Sequence, residues 1–247
     1  MFGLTALSTL VLMGLSTATA FISGISGEAG GVMLFTFMTF FFTLDTLVPI
    51  HGVVQLASNS SRIYFLRNSL LKRFVQPFCV GAIIGVVLAT WLKKDFPIDP
   101  KLPLALIVAL ILYVLFRPQK LPAIIIPASG FFFVGIMTGI LGIYIGTVGP
   151  FVGAFFVRPD LKKEEIIANK AFMQGFTHLL KVPAFMSLGF SFIAAMPIIF
   201  LLVISTFIGS RFGVQILDKL EPKRFMQIMK GLLFFSAMRI LYEIIYK

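Results

Sequence analysis

The sequence predicts an all-α integral membrane protein built from two inverted helical repeats, with eight to ten membrane segments, some of them discontinuous or re-entrant. Three observations support this fold class. Of the 247 residues, 58% are hydrophobic and 13% are charged, whereas about a quarter of the residues of a soluble domain are charged. The mean hydropathy is +1.00, and the apolar residues form runs that approach the 20 or so residues of a membrane helix. Similar polar motifs also recur 119 residues apart.

The composition excludes several functional classes. Cys79 is the only cysteine, so the chain cannot form a disulfide scaffold on its own. The sequence has no Walker-type loop for ATP, and its two histidines and single cysteine lack metal-ligand spacing. We therefore expect no enzyme activity, cofactor or metal ion. The net charge of +11 comes mostly from basic residues in the short connections between apolar runs. This pattern indicates the orientation of membrane helices rather than nucleic-acid binding. Part of the positive charge can also attract an anionic substrate.

Eight apolar runs predict membrane helices in the following order. They cover about residues 3–23, 31–44, 74–92, 102–116, 123–141, 146–157, 188–210 and 225–246. The first run ends like a signal-peptide cleavage site, but no basic residue precedes it, so we expect a retained helix from Gly3 to about Ser23. Two further segments, 47–66 and 164–182, are helix-like and polar along one face.

The basic residues predict how these segments are oriented. If all ten cross, one side of the membrane collects most of the Lys and Arg residues, and the other keeps mainly Lys93, Lys94 and Lys101. If only the eight apolar runs cross, the basic residues divide more evenly. The positive-inside rule therefore favours ten crossings with both termini outside. Two re-entrant hairpins, each returning to its starting side, are the alternative.

Two halves, residues 1–118 and 119–247, have the pattern of a duplication. An offset of 119 aligns Gly27 with Gly146, Gly30 with Gly149, His51 with Lys170, Gln55 with Gln174, Asn59 with His178 and Arg62 with Lys181. Each half contains five segments, an odd number, so the second copy enters the membrane from the opposite side. This arrangement is the inverted repeat of many secondary transporters.

Two glycine-rich segments, 24–31 and 139–150, are predicted to interrupt helices. Each glycine costs about 1 kcal/mol in a helix interior relative to alanine, so we expect a break followed by a new helix. A helix start inside a membrane presents unpaired N–H groups and a positive dipole end to an anion. Gly30, Gly31 and Gly149 are therefore candidate substrate-binding residues. Close helix packing through small residues is the alternative.

The polar faces of the two helix-like segments supply further candidates. The side chains predicted to bind an anion are His51, Gln55, Asn59, Lys170, Gln174 and His178. Amide and imidazole groups offer the hydrogen-bond donors that an oxyanion needs, and Lys170 or His51 balances its charge. Hydrogen bonding between helices is the alternative, since polar groups in a membrane face the bundle interior in either case.

Three more ionisable residues lie beside these faces. Glu28 lies within the first glycine-rich segment, and we expect Glu28 and His178 to be the candidate proton carriers. Arg62 and Lys181 lie toward segment ends, from which their charges can also reach the lipid headgroups.

The chain resembles the sulfite exporter TauE/SafE family of bacterial membrane proteins. The resemblance rests on segments 24–31 and 139–150 and on polar runs 51–62 and 169–181, and it extends over essentially the whole chain. It implies a multi-pass transporter of the bacterial plasma (inner) membrane for small sulfur-containing anions, such as sulfite or organosulfonates. Family members often carry Gly-x-Gly-Gly-Gly in the first motif, where this chain has Gly-Glu-Ala-Gly-Gly at residues 27–31.

We expect a secondary transporter, in the export direction, that works by alternating access with a proton as the candidate coupling ion. An anion channel would use the same residues. A membrane assembly or lipid-handling protein would not need paired polar faces. The expected partners are a small anionic sulfur compound, membrane lipids and the coupling proton, with no nucleic acid; so small a bundle is also compatible with a homodimer.

Overall fold

A computed structural model describes residues 4–27, 29–93, 101–116 and 125–246. These described residues form helices and no strand, which confirms the all-helical prediction. The α-helices are α1 (Ala6–Ser26), α2 (Gly30–Met38), α3 (Leu44–Phe65), α4 (Lys72–Leu92), α5 (Lys101–Phe116), α6 (Phe131–Tyr144), α7 (Gly149–Ala154), α8 (Lys163–Ser187), α9 (Phe192–Lys219) and α10 (Pro222–Tyr246). Each predicted segment corresponds to one of them, in the predicted order.

The helices differ in whether they can cross a membrane. Within the described ranges, α1, α4 and α9 are long and apolar enough to do so. By contrast, α2 has nine residues and α7 has six, so they extend only about 14 and 9 Å. The hydrocarbon core is about 30 Å thick, so neither can cross alone. The number of crossings stays a prediction, and the lengths of α2 and α7 favour the re-entrant alternative.

The chain reverses at both glycine-rich segments. Gly27 and Ala29 have φ angles of 66° and 62°, and α2 then runs back along α1. Gly30 lies so close to α1 that an added Cβ would overlap the carbonyl oxygen of Thr19. Gly146, with φ of 88°, turns the chain between α6 and α7. Gly27 and Gly146 adopt these angles at little cost, whereas Ala29 is strained at its angle. The predicted breaks, each followed by a new helix, are confirmed.

Glycines also allow two long helix pairs to pack closely. Gly81 and Gly85 on α4 lie against the backbone of α6, where an added Cβ would overlap a carbonyl oxygen. Gly209 and Gly213 on α9 lie against the backbone of α1 in the same way. In both pairs the glycines are four residues apart, the spacing with which membrane helices pack closely. Within the glycine-rich segments, Gly24 and Gly139 also lie against the backbone of neighbouring helices, so the packing alternative holds for some of their glycines as well.

α3 and α8 lie antiparallel in the middle of the bundle. Gly52 on α3 lies beside Lys181 on α8, and Gly175 on α8 lies beside Asn59 on α3. Apolar clusters fill the two ends around this pair. One includes Phe78, Phe131, Phe156 and Met229, and the other includes Leu12, Leu34, Ile50 and Leu202. The polar faces of α3 and α8 are thus held at the centre.

One end of the bundle collects the positive charge. The start of α8 meets the end of α9, where Lys163 Nζ donates to the carbonyl oxygen of Leu217 at 2.7 Å. The α3–α4 connection lies at the same end, because the Leu71 N–H donates to Asn169 Oδ1 at 3.0 Å. We call this the basic end, and the opposite end, where α4 finishes at Leu92 and α5 begins, the open end. The basic end carries Arg67, Lys72, Arg73, Arg158, Lys162, Lys163, Lys219 and Arg224.

Candidate functional site

A small polar cavity lies where the two chain breaks meet α3 and α8. The predicted site residues that line it are Gly31, His51, Gln55, Gly149, Gln174 and His178. Ser23 and Thr147, which the sequence reasoning missed, also line it. Both adjoin the glycine-rich breaks, and that position is the signal that could have identified them. The two halves of the chain therefore contribute to one cavity.

The cavity is contracted in this conformation. Its volume is about 10 Å³, which is near the minimum for a single water molecule. An oxyanion with three or four heavy atoms needs more space. Binding such a ligand therefore requires the surrounding helices to separate.

A glycine at each helix start faces a glutamine. An added Cβ on Gly31 would lie 3.4 Å from Gln55 Cδ, and one on Gly149 would lie 3.7 Å from Gln174 Nε2. Because neither glycine has a side chain, the amide group of each glutamine lies next to the glycine backbone. The first N–H groups of α2 have no partner within their own helix and carry the positive dipole end. α7 has only six residues, so its dipole is smaller than that of α2, and the dipole contribution at Gly149 stays a prediction.

Two buried histidines face each other across the cavity. The ring centroids of His51 and His178 are 6.1 Å apart, with the planes at 80°. His51 Nε2 lies 2.9 Å from the Gly31 carbonyl oxygen, so Nε2 carries the proton that this bond needs. Nδ1 of a neutral His51 ring is then an acceptor. His51 Nδ1, His178 Nδ1 and Gln174 Nε2 are all buried with no hydrogen-bond partner among the described residues.

Three predicted binding residues lie behind the cavity lining. Gly30 packs against α1, and Lys170 is buried beside Gly27, where an added Cβ would lie 3.4 Å from its Nζ. Asn59 Nδ2 donates to the Gln55 carbonyl oxygen at 2.8 Å. Asn59 Oδ1 accepts a bond of 2.7 Å from Arg62 Nη2. In this conformation these residues support the lining rather than form it.

Arg62 and Lys181 stabilise the two breaks. Both are only 1% exposed, so the alternative that they reach the headgroups is wrong. Arg62 Nη1 donates to the Ser23 carbonyl oxygen near the end of α1 at 3.3 Å, and Lys181 Nζ donates to the Gly146 carbonyl oxygen just after α6 at 2.7 Å. The negative end of a helix dipole attracts cations, and the Ser23 carbonyl oxygen accepts from Arg62 in addition to the Gly27 N–H. These contacts explain the burial of both charges.

The open end leads to this centre. A cavity of about 1000 Å³ lies there, and Val32 and Thr147 line both this cavity and the central one. Toward the basic end, Phe156, Ile167 and Met173 are fully buried in a continuous apolar cluster. Access in this conformation is therefore from the open end. Glu28, the other candidate proton carrier, lies outside the described residues.

The outer surface of the bundle is apolar. Val87, Trp91, Phe133, Ile193 and Phe200 are each more than 60% exposed. Their side chains point away from the polar centre on several helices. Such a surface suits contact with lipid rather than with water. The long apolar helices α1, α4 and α9 also indicate a membrane protein.

Fold and site together define an integral membrane protein with a polar centre between interrupted helices, a plan that membrane transporters use. The family model for the sulfite exporter TauE/SafE matches residues 11–240, nearly the whole chain. The chain belongs to this family, which confirms the resemblance seen in the sequence. Membership implies a membrane transporter of the sulfur-anion exporter type and not an enzyme. No match was found among curated proteins.

Proposed function

We propose that this protein exports small sulfur-containing oxyanions, such as sulfite or organosulfonates, by alternating access around the central cavity, with protons as the coupling ion. One observation carries the proposal. Gln174 Nε2, His51 Nδ1 and His178 Nδ1 surround the cavity and have no partner among the described residues. A buried polar atom without a partner costs about 1–3 kcal/mol. An oxyanion that accepts from Gln174 Nε2, together with a proton taken up at an imidazole Nδ1, therefore relieves this cost.

An oxyanion matches these groups chemically. The amide of Gln174 donates a hydrogen bond to an oxygen, and Gln55 and the first N–H groups of α2 offer further donors. The buried cations behind the lining, including Lys170, lower the cost of bringing a negative charge into the bundle. The site thus combines hydrogen-bond donors with compensating charge.

The histidine pair provides for proton coupling. An imidazole that already donates from Nε2, as His51 does to Gly31, accepts a proton at Nδ1. With 6.1 Å between the ring centroids, a charge on one ring disfavours a second on its neighbour. We infer that the pair carries one proton together with the anion, and Glu28 is a further candidate carrier.

Inverted repeats over residues 1–118 and 119–247 give a basis for alternating access. An added Cβ on Gly27 would contact Ile167, and one on Gly146 would contact Val48. The two glycines are 119 residues apart in the sequence, and so are Val48 and Ile167. The helix contacts follow the same symmetry. α6 and α9 are the counterparts of α1 and α4 in the second half, so the contact of α4 with α6 corresponds to the contact of α9 with α1. We propose that one half rocks against the other about this pseudo-symmetry.

The membrane topology follows from the same arrangement. We propose that α1–α2 and α6–α7 are re-entrant hairpins and that α3, α4, α5, α8, α9 and α10 cross. Each half then has three crossings, an odd number, so the second half is inverted. The basic end faces the cytoplasm by the positive-inside rule, and both termini lie outside. The membrane is the bacterial inner membrane, and a homodimer is compatible with this topology.

Flux through proteoliposomes tests the function. Sulfite, thiosulfate, sulfate, taurine and sulfoacetate are compared with and without a pH gradient. Saturable, gradient-dependent flux of a sulfur oxyanion is expected, whereas unitary currents in electrical recordings would indicate an anion channel. Flux of none of these compounds would favour the membrane assembly or lipid-handling alternative.

Binding to purified variants tests the site. Gln55→Ala and Gln174→Ala are compared with Gln215→Ala, a control on the exposed face of α9. We expect at least tenfold weaker sulfite binding for the first two, which corresponds to about 1.4 kcal/mol, and no change for the control. Wild-type affinity in Gln55→Ala and Gln174→Ala would place the site elsewhere.

A further inference from the structure

We propose that the cavity at the open end is an anion-binding vestibule through which the exported anion leaves, and that Arg239 on α10 is the residue that links it to the central cavity. The cavity measures about 1000 Å³, far more than the central one. The proposal rests on the proposed function and adds to it a second, weaker binding region for the same small oxyanions.

Positive charge dominates the walls of this cavity. Lys93 and Lys101 line it, and Asp45 is the one acidic residue among the described lining residues. Arg239 stands directly behind the wall, since its Nε donates to Oγ1 of the lining residue Thr36 at 3.0 Å. Among the described residues, two cations thus line the cavity with one carboxylate, and a third cation stands behind the wall. Charges of one sign in a cleft with low-dielectric walls concentrate the field and raise the local concentration of counter-ions.

The position of Arg239 calls for a functional explanation. It lies in the second half of α10, a helix of 25 residues, and its neighbours Ile240 and Ile244 line the vestibule. An arginine within a membrane helix is costly and usually faces a partner or a wet cavity. The guanidinium of Arg239 also lies 5.7 Å from the ring centroid of Tyr242, which holds it against the bundle.

A short chain of hydrogen bonds connects Arg239 to the central cavity. Thr36 Oγ1 accepts from Arg239 and donates to the Val32 carbonyl oxygen at 2.9 Å. Val32 lines both cavities. Arg239 therefore acts in two ways: its charge attracts an anion into the vestibule, and its hydrogen bond positions α2 at the junction with the centre.

The walls also offer hydrogen bonds suited to weak binding of an oxyanion. Thr36, Thr39, Thr43 and Tyr144 line the cavity with hydroxyl groups. The Thr36 and Thr39 hydroxyls already donate to the carbonyl oxygens of Val32 and Thr36, so an anion gains one of these donors only by replacing an existing bond. An exported anion therefore dwells there briefly before it leaves, and in reverse flux an anion passes from there to the amides and imidazoles of the centre.

Sulfite flux in proteoliposomes, driven in reverse with sulfite offered at the open end, tests the vestibule. Arg239→Gln and Lys101→Gln each remove a vestibule charge, Arg239→Lys retains it, and Thr36→Val removes only the hydrogen-bond chain. Arg224→Gln is the control, since Arg224 lies exposed at the basic end of the same helix, 3.6 Å from Glu221. We expect the two charge-removing variants to raise KM for sulfite by about tenfold at low salt, the lower end of electrostatic steering.

Salt separates the two roles of Arg239. The KM difference should shrink at high ionic strength, because salt screens exposed charges, while Arg239→Lys and Arg224→Gln keep the wild-type KM. Thr36→Val should lower the maximal rate without changing the salt dependence. If Arg239→Gln and Lys101→Gln both keep the wild-type KM at low salt, the vestibule proposal is overturned, while the proposed transport function stands. If the wild-type protein carries no anion of the screen, the proposed function fails as well.

Discussion

Lys181 on α8 donates a hydrogen bond of 2.7 Å to the carbonyl oxygen of Gly146, in the turn between α6 and α7. In the first half, Arg62 makes the equivalent bond to Ser23 at the end of α1. The two cations are 119 residues apart in the sequence. Each lies at the carboxyl end of an interrupted helix, where the dipole is negative. Each break is therefore stabilised by a buried charge from the long helix beside it.

Replacing Lys181 should weaken the second break. Lys181→Met leaves the Gly146 carbonyl oxygen without its partner, which costs about 1–3 kcal/mol for a buried acceptor, and it frees the turn that lines the cavity. We expect a lower melting temperature in detergent and at least a tenfold loss of sulfite flux. Lys219→Met, at the exposed end of α9, is the matched control. Melting and flux like those of the control would show that the bond does not hold the break.

Packing of α4 against α6 should be sensitive to a single methyl group. Gly85→Ala places a Cβ on the carbonyl oxygen of Ile136, so the helices must move apart. Such overpacking costs about 1–3 kcal/mol. Gly14→Ala is the control because no atom lies within 4 Å of an added Cβ there; the substitution should be neutral or stabilise by up to about 1 kcal/mol. Equal unfolding midpoints for the two variants would contradict the close packing.

The positions of the helices were predictable from the sequence, but not all of their ends. Glycine-rich breaks and apolar runs located α1 to α10 because each break removes the side chains that favour a helix. The second segment was predicted over 31–44, yet α2 is Gly30–Met38. The residues after Met38 are mostly phenylalanines, as apolar as the helix itself. Composition therefore gives no sign that the chain turns there.

The site was predictable to the extent that polar residues stand out in an apolar chain. Gln55 and Asn59 lie one turn apart on the same face of α3, yet only Gln55 lines the cavity, while Asn59 bonds to Arg62. Helical periodicity cannot separate two such neighbours, because their depth depends on the partner helix. Thr147 is a small hydroxyl residue of a type common in membrane helices, and Arg239 is one of three charged residues in the apolar run 225–246, with Lys230 and Glu243, so neither stood out.

An exposed ion pair at the basic end gives a prediction about pH. Arg158 Nε and Nη2 donate to the carboxylate of Asp160 at 2.8 and 2.7 Å, and these bonds lower the pKa of Asp160. The folded pKa is thus below the unfolded value near 3.9, so the pair stabilises the fold above that value and loses its effect as pH falls through the folded pKa. Asp160 is 47% exposed, so solvent screening limits the contribution to about 0.5 kcal/mol.

Asp160→Asn should therefore lower the melting temperature slightly at pH 7, and its difference from the wild type should disappear as the pH falls below the folded-state pKa of Asp160. Thermal melting across this pH range, at low and high salt, measures the effect. Asp218→Asn is the control, an exposed acid at the end of α9. A difference at Asp160 that persists at the lowest pH would mean that the pair does not act through the charge of Asp160.

The repeat predicts which residues exchange environments during transport. Val48 lines the vestibule, whereas Ile167, 119 residues later, is fully buried toward the basic end. Each contacts the break of the other half, Val48 at Gly146 and Ile167 at Gly27. If the halves exchange conformations, Ile167 becomes exposed to the basic end when Val48 is covered. Cysteines at these positions, in a Cys79→Ser background, report this exchange through their reaction with a membrane-impermeant thiol reagent.

Without substrate, Val48→Cys should react from the open end and Ile167→Cys should not. Sulfite with a pH gradient populates the opposite state, so the Ile167→Cys thiol should then react from the basic end while the rate at Val48→Cys falls several-fold. Leu202→Cys, buried in the apolar cluster at the open end, should stay unreactive throughout and so controls for general loosening of the bundle. If Ile167→Cys stays protected during sulfite flux, the halves do not exchange, because transport by exchange requires a path to the basic end past this residue.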